Sequence, residues 1–357
     1  MIELKDLCTK GSSSIAQKDL EGHDGIYPIY GASGFIKNVD FYQQEKPYIA
    51  VVKDGAGVGR VMCLPKESSV IGTMQYIIPN DGVNVKYLAY ALEHLNLAKY
   101  YTGATIPHIY FKDYCKEKLP AHPPEDQSRI ASILGRVTDL IALRKEQLAA
   151  LDQLVKSRFI ELFGDPQRNP YGYQYAKLSD IATYFNGLTY KPENVAEEGT
   201  IVLRSSNIQN SQLDFADTVR VDCAIKERLI VQENDILMCS RNGSAKLVGK
   251  VALIKGIEEP MSFGAFMMII RSQYFGYLMT YFQMDAFRQQ IKTGATTTIN
   301  QITGRMLDEV TIPVPPMALV EQFTVFVEQT DKSKLAIQRS LDELETLKKA
   351  LMQKYFG

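Results

Sequence analysis

Two short polar clusters interrupt the apolar runs of the second half of the chain. They are Arg204-Ser205-Ser206-Asn207 and Ser240-Arg241-Asn242-Gly243-Ser244, with Lys246 close behind. Side chains of these types can hydrogen-bond to nucleic acid: Arg and Lys donate to guanine, Asn and Gln pair with adenine, and Ser and Thr hydroxyls serve base or phosphate. In the first half, Tyr27, Tyr30, Ser33, Lys53, Arg60, Thr73 and Gln75 offer the same chemistry. A third group suits backbone phosphates: Tyr101, Thr102 and Thr105, with Lys292, Thr293, Thr296, Thr297 and Thr298. The plain alternative is structural, since Ser-Arg-Asn-Gly makes a good turn and Thr-Gly-Ala-Thr can cap or bend a chain.

Catalytic chemistry has no visible owner. Asn169-Pro170-Tyr171-Gly172 is one proline short of the loop that clasps a target amine in amino-methyltransferases, and reads as a turn. Gly55-Ala56-Gly57-Val58-Gly59 has the wrong glycine spacing for a dinucleotide loop, and strand residues follow where a helix should begin. Between Gly243 and Gly249-Lys250-Val251 there is one residue too many for a phosphate loop, and the hydroxyl for magnesium is missing. The histidines are few and not at metal-ligand spacing, and no paired-acid centre stands out. No catalytic residue, cofactor or metal is expected.

The elements that must position these side chains occur twice. Tyr101-Thr102-Gly103-Ala104-Thr105 returns as Lys292-Thr293-Gly294-Ala295-Thr296, 191 positions later. Pro123-Pro124 returns as Pro315-Pro316 after 192, and Leu148, Leu151, Leu154 and Phe163-Gly164 return after 193 as Leu341, Leu344, Leu347 and Phe356-Gly357. A slowly drifting offset marks the duplication of a whole unit, far longer than a solenoid repeat. Such a chain suits a bipartite target, and duplex DNA is the prime candidate. In the first copy, Ile26 to Tyr30, Tyr48 to Val52, Arg60 to Leu64 and Gln75 to Ile78 read as strands, separated by turns such as Asp54-Gly55 and Asp81-Gly82. Val85 to Lys99 has helical spacing, and Gly276 to Ile291 is its counterpart.

The chain has 357 residues, 45% of them hydrophobic, enough for two or three domains. Its five cysteines are scattered and form no Cys-x-x-Cys pair, which predicts reduced thiols in a cytoplasmic protein. The N-terminal segment lacks the apolar core of a signal peptide, and no apolar run is long enough to span a membrane. A net charge of -1 argues mildly against a protein that grips DNA by phosphates alone, unless its positive residues are local.

From Glu125 to Leu162 the texture becomes helical, with Leu134, Val137, Ile141, Leu148, Leu151, Val155 and Leu162 on a heptad seam and Arg144 and Arg158 at its two skipped positions. At 1.5 Å per residue this is a rod of roughly 57 Å. Shifted to the second copy, the seam falls on Val327, Thr330, Lys334, Ile337, Leu341, Leu344, Lys348, Leu351 and Tyr355. Each rod follows a Pro-Pro pair and ends at Phe-Gly, as helix boundaries do. One such helix is not stable alone. Two related by a perpendicular pseudo-two-fold axis must pair antiparallel, holding two globular domains apart. Leu140, Leu143, Leu154 and Leu347 are left over for a partner helix or for the adjoining domains.

The whole pattern resembles the specificity (S) subunits of type I restriction–modification enzymes. The residues that carry the resemblance are Tyr30-Gly31-Ala32-Ser33-Gly34, Asp54-Gly55, Gly59-Arg60-Val61, both Thr-Gly-Ala-Thr segments, Pro120 to Pro124, Pro313 to Pro316, and Phe163-Gly164-Asp165-Pro166 with Asn169-Pro170. The resemblance implies an α+β chain. Two duplicated mixed α/β target-recognition domains (1–121 and 165–314) are separated by an antiparallel coiled coil of two long helices (122–164 and 315–357), pseudo-two-fold symmetric. It implies a non-catalytic subunit that reads a bipartite, asymmetric site in double-stranded DNA. Two methyltransferase (M) subunits would dock on the helices to methylate adenine, and two motor-nuclease (R) subunits would join for restriction. The matched frames with diverged strand regions fit two readers of different half-sites. The rival expectations are a coiled-coil scaffold with peptide- or protein-binding ends, and a fused methyltransferase or nuclease.

Overall fold

Short apolar runs such as Tyr48–Val52, buried at every residue, can satisfy both faces only between two layers. In the computed structural model, which describes residues 1–103, 107–291 and 300–357, this strand occupies such a position. The chain forms two compact units, Met1–Gln147 with Ala336–Gly357, and Leu148–Leu335.

In the first unit a four-stranded antiparallel sheet runs in the order Cys8–Ser12, Met74–Pro79, Tyr48–Val52, Val61–Leu64. Ile49, Val51 and Ile77 face a core completed by the helix Val85–His94, while Tyr48, Ala50, Val52 and Tyr76 face a second core. That second core is closed by a smaller sheet, Gly34–Val39, Tyr27–Gly31 and Ser69–Val70, whose last pair is parallel. Burying each such side chain contributes roughly 1.5–3 kcal/mol.

The second unit repeats the plan. Its sheet runs Thr183–Asn186, Met267–Arg271, Ile236–Cys239, Val251–Leu253. Ile236, Met238, Met268 and Ile270 enter one core, and Leu237, Cys239, Met267 and Ile269 the other. Again the smaller sheet contains one parallel pair, Thr200–Leu203 with Met261–Phe263. The fold class is mixed α+β in both units, as expected.

Two helices expected from periodicity are shorter than predicted. The first ends at His94 because Asn96 adopts a left-handed conformation (φ 50°), and a 3-10 turn, Leu97–Tyr100, follows. Its counterpart is two helices, Phe275–Tyr281 and Asp285–Ile291, with Phe282 and Phe287 packed edge to face across the break. Periodicity continued through both breaks because the same core receives the residues on either side.

The rods are helices of 40 residues each, Pro124–Phe163 and Met317–Phe356. All nine seam positions expected on each are buried or half-buried. The polar members are partnered. In the first unit Arg144 Nε donates to Ser340 Oγ at 3.2 Å, and Lys145 pairs with Glu345 at 2.9 Å. In the second, Lys334 pairs with Asp152 at 2.7 Å, Arg158 lies over the Phe326 ring, and the Phe159 and Phe323 rings meet at 5.6 Å. Among the described residues no helix is long and apolar enough to cross a membrane.

At the start of the second unit's central strand, Asp235 is buried and accepts from Arg271 Nε and Nη2, both at 2.7 Å. Replacing Asp235 by Ala strands the arginine, and is expected to destabilise this unit by about 3–5 kcal/mol. The pair Asp235→Leu with Arg271→Met should recover most of the loss. Urea unfolding of the full chain checks both; equal losses in the single and double variants would rule out the ion pair as the cause.

Candidate nucleic-acid interface

At the far end of each central strand the chain enters a loop, and the two loops are held by the same backbone hydrogen bonds. In the first unit Lys53 and Asp54 N–H both donate to Thr73 O, Gly55 N–H donates to Pro107 O, and Ile109 N–H donates to Lys53 O. In the second, Ser240 and Arg241 N–H both donate to Phe266 O, Asn242 N–H donates to Asn300 O, and Ile302 N–H donates to Ser240 O. Asp54 forms an isolated bridge with His108, as Arg241 does with Gln301. The loops close alike: Gly59 N–H donates to Val52 O and Gly249 N–H to Cys239 O, each at 2.8 Å. Both glycines have positive φ, 85° and 81°, where a side chain would be strained.

This correspondence equates Lys53-Asp54-Gly55 with Ser240-Arg241-Asn242, Arg60 with Lys250, and Thr73 with Phe266. The parallel strand pairs likewise equate Tyr30 with Leu203, so the turn after Tyr30 matches Arg204-Ser205-Ser206-Asn207. The side chains in the equated places differ almost everywhere.

In the first unit, Arg60 Nη1 donates to Ala32 O at 2.8 Å, bringing Arg60 beside Ser33 and Tyr30 on the hairpin turn. Ser33, Arg60 and Thr73 are exposed; Tyr27 and Tyr30 are half-buried, stacked edge to face on Tyr42 and Phe35. A groove of about 300 Å³ is lined by Lys10, Lys53, Asp54, Gln75, Tyr110 and Lys112. Lys53 pairs with Asp54 at 2.8 Å, which leaves Lys10 and Lys112 as the groove's excess positive charge. Tyr101 and Thr102 are exposed, and Thr102 pairs with His108 through two backbone hydrogen bonds.

In the second unit the two polar clusters meet: Asn242 Nδ2 donates to Ser205 Oγ at 3.3 Å. Arg241 is exposed, with its guanidinium 5.5 Å from the centre of the exposed Phe266 ring. Lys246 is exposed and Ser206 half-buried. Arg204 is drawn to Asp217 at 2.7 Å.

Three expected contact residues are not surface groups. Gln75 is buried, and its Oε1 accepts from Tyr114 Oη, whose proton burial holds firmly by raising the phenol's pKa. Ser240 is buried and its hydroxyl donates to Phe266 O. Asn207 is 1% exposed; its Oδ1 accepts from Arg204 N–H and its Nδ2 donates to Asp214 O and Asp217 O. Asn207 and Ser240 tie their loops together, while Gln75, on the strand Met74–Pro79, ties that strand to the helix Phe111–Tyr114. Thr105, Lys292, Thr293, Thr296, Thr297 and Thr298 lie outside the described residues. Asn169 (φ 43°) makes a turn closed by Gly172 N–H on Asn169 O, as read. Leu140, Leu143, Leu154 and Leu347 are exposed by 42, 45, 48 and 46%.

Sequence reasoning missed Lys10, Tyr110, Lys112 and Phe266. Only Phe266 carried a signal, as an aromatic at the close of the Gly264-Ala265 turn; Lys10 reaches the groove from the strand Cys8–Ser12 and Lys112 from the helix Phe111–Tyr114, which no local pattern brings together.

A sequence model of the family described as type I restriction modification DNA specificity domain matches residues 1–153 and 170–349. The specificity subunit of type I restriction enzyme EcoKI from Escherichia coli K12 is 28% identical over 196 residues, 51% of this chain and 42% of that subunit. The StySPI subunit of Salmonella potsdam is matched to the same extent, so the chain spans less than half the length of these two relatives, 42% of each. The MjaVIII specificity subunit of Methanocaldococcus jannaschii is 23% identical over 389 residues, 98% of this chain and 89% of that one. Among solved structures, the S subunit of a type I restriction–modification system from M. genitalium superposes with a TM-score of 0.65 at 16% identity, covering 100% of this chain and 95% of that one. A chain from work on complex assembly and conformational transition of the type I R-M system gives 0.53 at 14%, covering 99% and 96%. At these identities the structural likeness is one of fold.

Replacing Asn207 by Ala leaves a backbone N–H and two carbonyls of the 204–217 turn without partners, at an expected cost of about 2–3 kcal/mol. Chemical unfolding measures it. No loss of stability would return Asn207 to the set of free contact groups.

Proposed function

This chain belongs to the family of type I restriction modification DNA specificity domains, and from that premise we propose that it is the sequence-reading, non-catalytic subunit of a type I restriction–modification complex. It recognises a bipartite, asymmetric site in double-stranded DNA and directs adenine methylation and restriction by its partners. The observation that carries this reading is the duplicated hydrogen-bond frame presenting different side chains. Identical frames give two readers the same stance, and different side chains give them different half-sites.

In the first unit, Tyr27, Tyr30, Ser33, Lys53, Arg60 and Thr73 face DNA, with Tyr101 and Thr102 on phosphates. In the second, Ser205, Ser206, Arg241, Asn242 and Lys246 do so, and Arg204 joins them when it releases Asp217. Thr105, Lys292, Thr293, Thr296, Thr297 and Thr298 serve backbone phosphates. Asn207 and Ser240 hold the loops, and Gln75 holds the helix Phe111–Tyr114 to its strand. The near-neutral net charge is no obstacle, because Lys10 and Lys112 concentrate positive charge in one groove.

The target-recognition domains are 1–121 and 165–314, and the helices of 122–164 and 315–357 pair antiparallel as a spacer with pseudo-two-fold symmetry. Supporting this are the contacts within each unit: Arg144 and Lys145 with Ser340 and Glu345 in one, Asp152 and Phe159 with Lys334 and Phe323 in the other. Two methyltransferase subunits use the exposed leucines Leu140, Leu143, Leu154 and Leu347, two motor-nuclease subunits join for restriction, and the complex works in the cytoplasm.

Mapping methylated adenines in cells with and without this chain tests the function: a bipartite motif should vanish with it. Arg241→Gln is expected to weaken binding about tenfold to a hundredfold and to relax letters of one half-site only. Relaxation of both halves, or of neither, would refute its role. Inserting one heptad into each long helix adds about 10 Å, and should widen the gap between half-sites by about three base pairs. An unchanged gap in the methylation map would defeat the spacer reading.

A further inference from the structure

The second unit carries a hairpin that the first lacks. Where the first turns directly from Gly31 to Gly34, the second runs from Leu203 to Arg220 and inserts the strands Ile208–Gln209 and Gln212–Leu213. The hairpin tip, Asn210 and Ser211, has positive φ at both residues (49° and 63°), the mark of a type I′ turn. Neither residue is glycine, so the turn is strained and something must hold it. Ser211 Oγ donates to Gln283 Oε1 at 3.2 Å, fixing the tip above Gly249-Lys250-Val251.

Between tip and loop lies a cleft of about 270 Å³, lined by Gln209, Ser211, Lys250, Gln283 and Arg288 among others, and by no acidic residue. It falls short of the roughly 300–1,000 Å³ typical of small-molecule sites. Arg288 Nη1 reaches only Val248 O, at 3.4 Å, and among the described residues neither Arg288 nor Lys250 has a carboxylate partner. Two unneutralised cations converging with amide and hydroxyl groups suit a small oxyanion.

The first unit has filled the equivalent space. A Cβ on Gly59 would lie 2.4 Å from Ala98 N, so backbone closes over that glycine. On Gly249 the nearest atoms would be Ile302 Cδ1 at 3.4 Å and the Arg288 guanidinium at 3.6 Å. Arg60, at the place of Lys250, already donates to Ala32 O.

We propose that this cleft seats one phosphate, held by Lys250 and Arg288, and that the phosphate belongs to the DNA backbone beside the half-site read by the second unit. The inference rests on the DNA-reading function above. It adds a sequence-independent grip at a place where the first unit is closed by backbone.

The test uses the complex with its methyltransferase subunits, random-sequence duplex DNA, and Lys250→Gln and Arg288→Gln. Both changes remove the charge and leave a polar side chain, and thermal melting confirms folding. Each variant should bind duplex three- to tenfold more weakly at low salt, and the slope of log affinity against log salt should fall by about 0.9, the contribution of one phosphate. The methylated motif should stay unchanged, and Lys226→Gln, outside the cleft, should leave the slope alone. Unaltered slopes in both variants, with duplex still bound, would overturn the inference while sparing the function. A second arm titrates inorganic phosphate into the full chain. Phosphate binding lost in the variants without any change of duplex slope would make the cleft a free-anion site and also overturn it. Failure of the unaltered complex to bind duplex would bring down the functional reading, and this inference with it.

Discussion

Burial of the central strand of one four-stranded sheet on both faces is the constraint from which the rest of each unit follows. Tyr48–Val52 and Ile236–Cys239 have no exposed face, so their register against neighbouring strands cannot slip without moving a core residue into the wrong layer. A fixed register fixes where the strands end. That in turn places Lys53-Asp54 and Ser240-Arg241 within reach of the Thr73 and Phe266 carbonyls. Because the loops are tied by main-chain atoms, their side chains carry little of the folding burden. Side chains so released can change chemistry while the loop keeps its shape.

The separation also explains what the sequence disclosed. The duplication was legible because main-chain frames need particular residues at a few places. Gly59 and Gly249 must take positive φ, and the apolar strand runs must stay apolar. The helix seams were legible for the same reason: a repeating contact imposes a repeating residue type, even where Arg144 and Lys334 substitute for leucine by exporting their heads to Ser340 and Asp152. The contacting side chains were only partly legible. A polar residue in a turn has the same composition whether it faces solvent, as Arg241 does, or closes the turn, as Asn207 does. Lys10 and Lys112 share a groove from a strand and a short helix far apart in sequence, which no local pattern encodes.

Polar residues in the seams have a cost. Within the second unit Thr330, Lys334 and Asp331 interrupt the apolar stripe, and burial raises the pKa of Asp331 despite the lysine beside it. An all-leucine seam would bind more tightly but would tolerate sliding by a heptad. Here a slip would part Lys334 from Asp152 and, in the first unit, Arg144 from Ser340. Stability is exchanged for register.

The two frames have aged differently since duplication. Equated residues are separated by 187 positions at Val52 and Cys239, 190 at Arg60 and Lys250, and 193 at Ile109 and Ile302. At the equated Tyr30 and Leu203 the separation is only 173, so the growth falls in the stretch before the central strand, in the loop after it and in the segment beyond, while the strands added nothing. The same logic governs the hairpin at Asn210-Ser211: it was inserted where the chain leaves a parallel strand pair, a place already outside the buried sheet. Insertions there alter what surrounds the loops without touching the register that holds them. A cleft flanked by Lys250 and Arg288 could thus arise in one copy while its twin kept the corresponding space closed with the backbone of Leu97 and Ala98. Two units built on one frame are in this way free to differ in the side chains and clefts around their loops.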